Sequence, residues 1–146
     1  MENINANFKV MGDVEITLTS DGVVKETRTV KNLVVTTGKN WIVGRMMGTE
    51  ATEMTHMAIG TGTTAQVIAN TALQTQVARV AHTDVALNNY ITYSATFPAG
   101  TGIGAITEAG IFNASSAGIM LCRTTFAAVN KDVLDTLSIT WTLTVL

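Results

Sequence analysis

The sequence predicts an all-β chain: a two-sheet β-sandwich, jelly-roll-like, with one or two short helices. Three observations lead there. Residues 136–146 alternate strictly, with Leu137, Ile139, Trp141, Leu143 and Val145 on one parity and Thr136, Ser138, Thr140, Thr142 and Thr144 on the other. Successive side chains of an extended chain point to opposite faces, so this strand buries one face and wets the other. Turn signals recur at roughly the 8–12-residue spacing of sandwiches and barrels. The strand–helix alternation that builds a parallel sheet is missing. The wet parity carries hydroxyls rather than charges, in a chain with 25 threonines. Such a face is soluble yet cheaper to desolvate against a partner than a charged one.

In chain order, residues 1–12 read as an N-terminal arm and 13–146 as a single sandwich domain. Residues 1–7 are polar and read as aperiodic, an arm that is disordered or docked on a partner. Val14, Ile16 and Leu18 alternate with Glu15, Thr17 and Thr19, and residues 23–30 resume the pattern after Asp21-Gly22, a hairpin signal because type I′ turns need positive φ. Residues 33–36, with β-branched Val34, Val35 and Thr36, read as an extended run. Residues 39–47 form the best helix candidate, with Trp41, Ile42, Arg45 and Met46 near one side and Gly48 as its stop. Residues 54–59 read as a strand ended by Gly60-Thr61-Gly62, and residues 70–76 as one or two helical turns. Residues 77–87 read as one extended run, followed by an Asn88-Asn89 turn. Ile91, Tyr93, Ala95 and Phe97 alternate with Thr92, Ser94 and Thr96. Residues 98–104 hold the only proline and three glycines, a loop. Residues 105–112 and 119–129 read as strands, and 130–132 as the turn into the last one. That makes eight or nine strands, with Trp41, Phe97, Phe112, Ile139, Trp141 and Leu143 as core anchors.

Composition narrows the function. A chain of 146 residues fits one domain that can bury roughly 70% of its unfolded surface without staples. Charged residues make up 14%, against about 25% in an average domain, and the net charge is −2. The nine basic residues are scattered, which argues against binding nucleic-acid phosphates. Cys122 is the only cysteine, so no intrachain disulfide forms, and it reads as a small buried hydrophobe. Residues 1–7 lack the apolar stretch of a signal peptide, and no run approaches the ~18 apolar residues of a membrane span, so the expectation is a protein cytosolic at synthesis with no membrane partner.

Motifs for catalysis, cofactors or metals are weak. Gly60-Thr61-Gly62-Thr63-Thr64-Ala65 fits the G-x-G-x-x-A dinucleotide pattern, and Asp84 lies 24 residues beyond Gly60. That fingerprint needs a helix after the glycines within a βαβ unit, so a glycine turn ending a strand is the preferred reading and no cofactor is expected. His56 and His82, with dispersed carboxylates and one Cys, have no metal-ligand spacing and read as surface or hydrogen-bonded residues. No G-x-S-x-G is present and no carboxylate pair stands out, so the reading is non-enzymatic. Glu108 is alone in the apolar run 105–112, and Arg79 and Arg123 are similarly isolated. A carboxylate so placed needs a partner. A structural ion pair to Arg79, with Arg123 as second choice, is the favoured reading; a catalytic carboxylate is the alternative.

The same residues carry a resemblance. Asn32-Leu33-Val34-Val35-Thr36-Thr37-Gly38-Lys39-Asn40-Trp41-Ile42 comes first, then His56-Met57-Ala58-Ile59-Gly60-Thr61-Gly62-Thr63-Thr64, and Thr71-Ala72-Leu73 with Arg79. Ile106-Thr107-Glu108-Ala109-Gly110-Ile111-Phe112, Ala117-Gly118-Ile119-Met120-Leu121-Cys122-Arg123 and Asp135-Thr136-Leu137-Ser138-Ile139-Thr140-Trp141 follow. This ordered set, spanning nearly the whole chain from Val14, resembles small virion proteins of tailed bacteriophages. The Thr107–Phe112 pattern also resembles modules of tail-collar fibres and baseplates. The resemblance implies a structural role: a capsid decoration (cement) protein on the outer shell that clamps neighbouring major capsid subunits and self-associates as a dimer or trimer. Alternatives are a tail, collar or baseplate component, or a receptor- or glycan-binding module. With aromatic residues at 5%, sugar-stacking platforms are few.

Overall fold

In the computed structural model, which describes residues 9–146, the chain forms ten strands and one helix. They are β1 (Val10–Ser20), β2 (Val23–Lys31), β3 (Leu33–Val34), α1 (Thr36–Met47), β4 (His56–Gly60), β5 (Gln76–Ala81), β6 (Thr83–Leu87), β7 (Tyr90–Phe97), β8 (Gly104–Phe112), β9 (Met120–Lys131) and β10 (Thr136–Val145). Two five-stranded sheets result, in the orders β2-β1-β10-β7-β6 and β3-β9-β8-β4-β5, with every pairing antiparallel. The expected two-sheet sandwich is the observed architecture. We call these sheets A and B.

Between them lies one core. Val14, Ile16 and Leu18 of β1, Phe97 of β7, and Leu137, Ile139, Trp141 and Leu143 of β10 pack against Met57, Ile59, Ile106, Ala109, Ile111 and Leu121 of sheet B. Trp141 is fully buried at the middle of β10, the central strand of sheet A. A second cluster of Val35, Ala58, Leu73, Phe112 and Met120 lies apart from it. Phe112 is therefore buried, but in this satellite rather than the main core. Trp41 is only half-buried against the core, its indole N–H donating to the Thr52 carbonyl at 2.8 Å.

Local rules hold at the turns. Asp21 and Gly22 take φ of 49° and 75°, as a type I′ hairpin demands. Asn88 takes φ 54° between β6 and β7. Gly48, at φ 73°, closes α1 by donating to the Gly44 and Arg45 carbonyls.

Several expectations shift. Of the expected arm 1–12, Val10–Gly12 belong to β1 and pair with β10; residues 1–8 lie outside the described residues. The extended run expected at 33–36 stops at Val34, and α1 starts at Thr36 because Val35, the N-cap, is already extended against β9. Residues 70–76 hold no helix. The run 77–87 splits at His82, where the chain leaves sheet B for sheet A. β9 runs through Lys131, so the final turn sits at residues 132–135, closed by Asp132 N–H donating to Asp135 Oδ2 at 2.9 Å.

Candidate functional site

Glu108 organises a buried polar cluster. A bulge between Ile106 and Glu108 re-phases β8. Ile106 faces the core, and beyond the bulge Ala109 and Ile111 take over that side, leaving Glu108, Gly110 and Phe112 on the outer side of sheet B. A second bulge in β9 keeps Leu121 and Cys122 in the core and turns Met120 and Arg123 outward. The two bulges place Arg123 beside Glu108. Their Nη2–Oε2 distance is 3.1 Å, and both are fully buried. The sequence expectation that Arg79 is the first-choice partner is corrected. Arg79 sits across β4 from Gly110 and turns to Gln76 Oε1 and the carbonyls of Ala114 and Ala117, its guanidinium stacked 3.8 Å from the Phe112 ring centre. Burial pulls its pKa below the usual guanidinium range.

Residues 61–75 close over this pair. Arg123 donates to the carbonyls of Thr64 and Ala65 and to Asn70 Oδ1, at 3.0–3.3 Å. Glu108 accepts from the backbone N–H groups of Gln74 and Thr75 at 3.3 and 3.1 Å. Gln66 Oε1 accepts from Thr125 N–H at 2.7 Å, Thr107 Oγ1 donates to the Gly62 carbonyl at 2.6 Å, and Leu73 drops into the satellite cluster. The glycines of the G-x-G motif now have a physical reason. A Cβ on Gly62 would run into Glu108 Oε2, and one on Gly60 would come within 2.8 Å of Oε1. The motif admits a carboxylate of this chain, not a pyrophosphate; β4 pairs antiparallel on both sides and no helix follows it. Gly38 serves α1 likewise, since a side chain there would strike the Leu121 carbonyl, and Thr37 Oγ1 donates to the Met120 carbonyl at 2.9 Å. Both terminal nitrogens of Arg123 and both carboxylate oxygens of Glu108 bind residues 61–75, while Arg123 Nε is buried without a partner, and this fixed geometry gives the cluster the chemistry of a clamp.

The outer face of sheet A is built differently. Register lines up Thr27 and Thr29 of β2, Thr17 of β1, Ser138, Thr140 and Thr142 of β10, and Thr92, Ser94 and Thr96 of β7 across four neighbouring strands. Thr92 and Thr142 share a hydroxyl contact at 3.2 Å. Asp13 and Glu15 on β1, with Lys31 paired to Asp13, are the charges among these rows. Beside them β6 exposes Val85 and Leu87.

The remaining candidates are dispersed. His82 is packed edge-on against Tyr93, with ring centres 4.7 Å apart, and both its ring nitrogens are buried without a hydrogen-bond partner. Burial pulls its pKa below the usual value. His56 meets the Thr55 hydroxyl at 2.8 Å. Cys122 is fully buried, which pushes its thiol well above the usual range. Among the described residues, no three His, Cys, Asp or Glu side chains gather as a metal site, and no helix is long and apolar enough to cross a membrane. Compared with family models, curated proteins and solved structures, the chain matches none.

Proposed function

We propose that this chain is a structural protein of a tailed-bacteriophage virion. It binds the outside of the capsid and stabilises contacts between major capsid subunits, as a decoration or cement protein, associating with itself as a dimer or trimer and catalysing no reaction. One observation carries the reading: the broad hydroxyl-rich outer face of sheet A. Its threonines and serines desolvate at less cost than ionised side chains and offer donors and acceptors to a partner backbone. The residues behind the sequence resemblance support it from another side. Gly60, Gly62, Leu73, Glu108, Gly110 and Arg123 all serve the clamp beneath residues 61–75, so the ordered pattern marks a shared scaffold. Scaffold residues of this kind suit a tail or collar module equally, and position in the particle is what separates the two.

The test is a copy count on purified particles by quantitative mass spectrometry, with particle reconstruction to locate the density. Hundreds of copies on the shell are expected. A dozen or fewer at the tail would move the assignment to a tail, collar or baseplate component. Absence from particles would overturn it.

A further inference from the structure

We propose that β6 is a pairing edge: a second copy of this chain adds its own β6 there, antiparallel and in register about Val85, joining the two copies of sheet A into one continuous sheet. Edge strands invite such pairing unless they are short, charged or bulged. Three of the four edges in this fold are blunted in that way. β2 carries Lys25, Glu26, Arg28 and Lys31 and a bulge. β3 is two residues long. β5 carries Arg79 and a bulge. β6, Thr83-Asp84-Val85-Ala86-Leu87, is exposed along its whole length and keeps unbroken register with β7. It holds no lysine, arginine or proline, and Val85 and Leu87 are 68% and 54% exposed.

The hydrogen-bond phase shows which backbone groups of β6 are open. Val145 N–H donates to the Asn89 carbonyl at 2.8 Å, so Asn89, Ile91, Tyr93 and Ala95 turn their backbone groups to β10. The alternate residues Tyr90, Thr92 and Ser94 turn theirs to Leu87, Val85 and Thr83. Asp84 and Ala86 therefore point their N–H and C=O groups away from sheet A, and no hydrogen bond from another described residue reaches them. A two-fold axis through Val85 sets Asp84 of each copy opposite Ala86 of the other. These pairs exchange backbone hydrogen bonds. Val85 then meets its own copy at a non-bonded position, where Cα atoms approach to about 4.5 Å.

The side chains suit this register. Thr83, Val85 and Leu87 share the outer face of sheet A with Ser94, Thr92 and Tyr90, their partners on β7. That face bears hydroxyls on β7 and β10 and turns aliphatic at this edge. Pairing gathers Val85 and Leu87 of both copies, flanked by the two Tyr90 side chains, into one apolar patch. Asp84 is the only charge on β6 and takes the other parity. It faces Ala86 of the copy, so the two carboxylates are not set opposite one another. The strand thus meets itself without a like-charge pair, which commits the edge to a second copy. An isologous contact of this kind closes at two chains. The inference rests on the self-association in the reading above and gives it a surface and a number.

The experiment is sedimentation equilibrium on the full chain. The wild type is expected to move from 15.4 kDa toward twice that mass as concentration rises. Val85→Lys sets two ammonium groups face to face across the axis and should weaken dimerisation at least about tenfold, as should Val85→Glu. The two variants mixed should dimerise again, because an ammonium then faces a carboxylate. Ala86→Pro removes an outward N–H without touching a bond to β7 and should weaken dimerisation too. Val24→Lys, on the β2 edge, should dimerise like the wild type. Tryptophan fluorescence reports that each variant is folded. A wild type that stays at the single-chain mass up to millimolar concentration would overturn the proposal. So would a dimer that survives both Val85→Lys and Ala86→Pro, or a mass that climbs past two chains. Copy number on particles is a separate readout, so a failure of this pairing and a failure of the virion reading are told apart.

Discussion

The two sheets face the same core but treat their outer sides in opposite ways. Sheet A leaves a hydroxyl-bearing side outward. Sheet B covers its outer side with residues 61–75 and sinks an ion pair beneath them. The difference teaches how a cover is recognised. Burial on both sides removes the polar parity, so β8 is buried from Ile106 to Phe112 without interruption, whereas β10 alternates from Thr136 to Thr144. The charges that interrupt such an apolar run mark the place where the cover is tied down.

The largest effects should come from breaking the tie. Glu108→Ala and Arg123→Ala should each cost ~3–5 kcal/mol, because each strands a buried opposite charge. Glu108→Ala with Arg123→Ala should cost less than the sum of the singles, by ~0.5–3 kcal/mol. The same cycle with Arg79→Ala should be additive, since Arg79 binds carbonyls instead. Urea melts of the six proteins check this, and coupling to Arg79 rather than Arg123 would reverse the assignment. Trp141→Ala belongs to the same size class, ~3–5 kcal/mol, as a core truncation on the other sheet. Hydrogen exchange separates the two. Loss of the pair should release residues 61–75 selectively, while Trp141→Ala should lower protection throughout.

A smaller effect tests the contact between loop and carboxylate. Gly62→Ala inserts a methyl against Glu108 Oε2 and Gln74. Overpacking of this kind costs ~1–3 kcal/mol. Combined with Glu108→Ala the penalty should shrink, because the obstructing carboxylate is gone. An undiminished penalty would place the strain in the backbone instead.

His82 sits where β5 of sheet B passes to β6 of sheet A, and its effect should depend on pH. Desolvation lowers its pKa in the folded state, with His56 adding to that and Asp84 opposing it, while the Tyr93 ring packs on it. The folded chain therefore favours the neutral ring. The unfolded chain takes up its proton near pH 6.5. Stability from this group is complete above that value and declines as pH falls below it toward the folded pKa. Thermal melts from pH 7.5 to 5 should show a steeper loss of Tm for the wild type than for His82→Gln. Parallel curves would show that His82 stays hydrated.

How much was legible follows from the same contrast. Sheet A was read almost residue by residue, since period two survives wherever one side stays wet; the hairpin at Asp21-Gly22 and the core position of Trp141 come from that. Sheet B was legible as strands but not as partners. Bulges at Thr107 and Leu121 shift parity inside the runs, so counting along the sequence cannot say that Arg123 rather than Arg79 turns toward Glu108. Residues 70–76 suggested helix by local propensity, but Gln74 and Thr75 spend their N–H groups on Glu108 instead. The split at His82 left no signal either, because both halves are extended.

The smallest effect on stability sharpens the comparison most. Thr140 and Trp141 are neighbours in β10, one facing out and one in. Thr140 takes part in no side-chain hydrogen bond among the described residues, so Thr140→Ala should stay within about 0.5 kcal/mol of wild type. Thr142→Ala loses the hydroxyl contact to Thr92 and should cost about 0.5–1.5 kcal/mol. Such variants remain folded, which makes them clean probes of docking through this side. Added to particles stripped of the protein, Thr140→Ala should bind more weakly than wild type, and a Thr140→Lys chain more weakly still, since an ammonium must then be desolvated. Unchanged binding of both, measured by co-sedimentation with the particles, would mean that the hydroxyl face points to solvent and that contact is made elsewhere on the molecule.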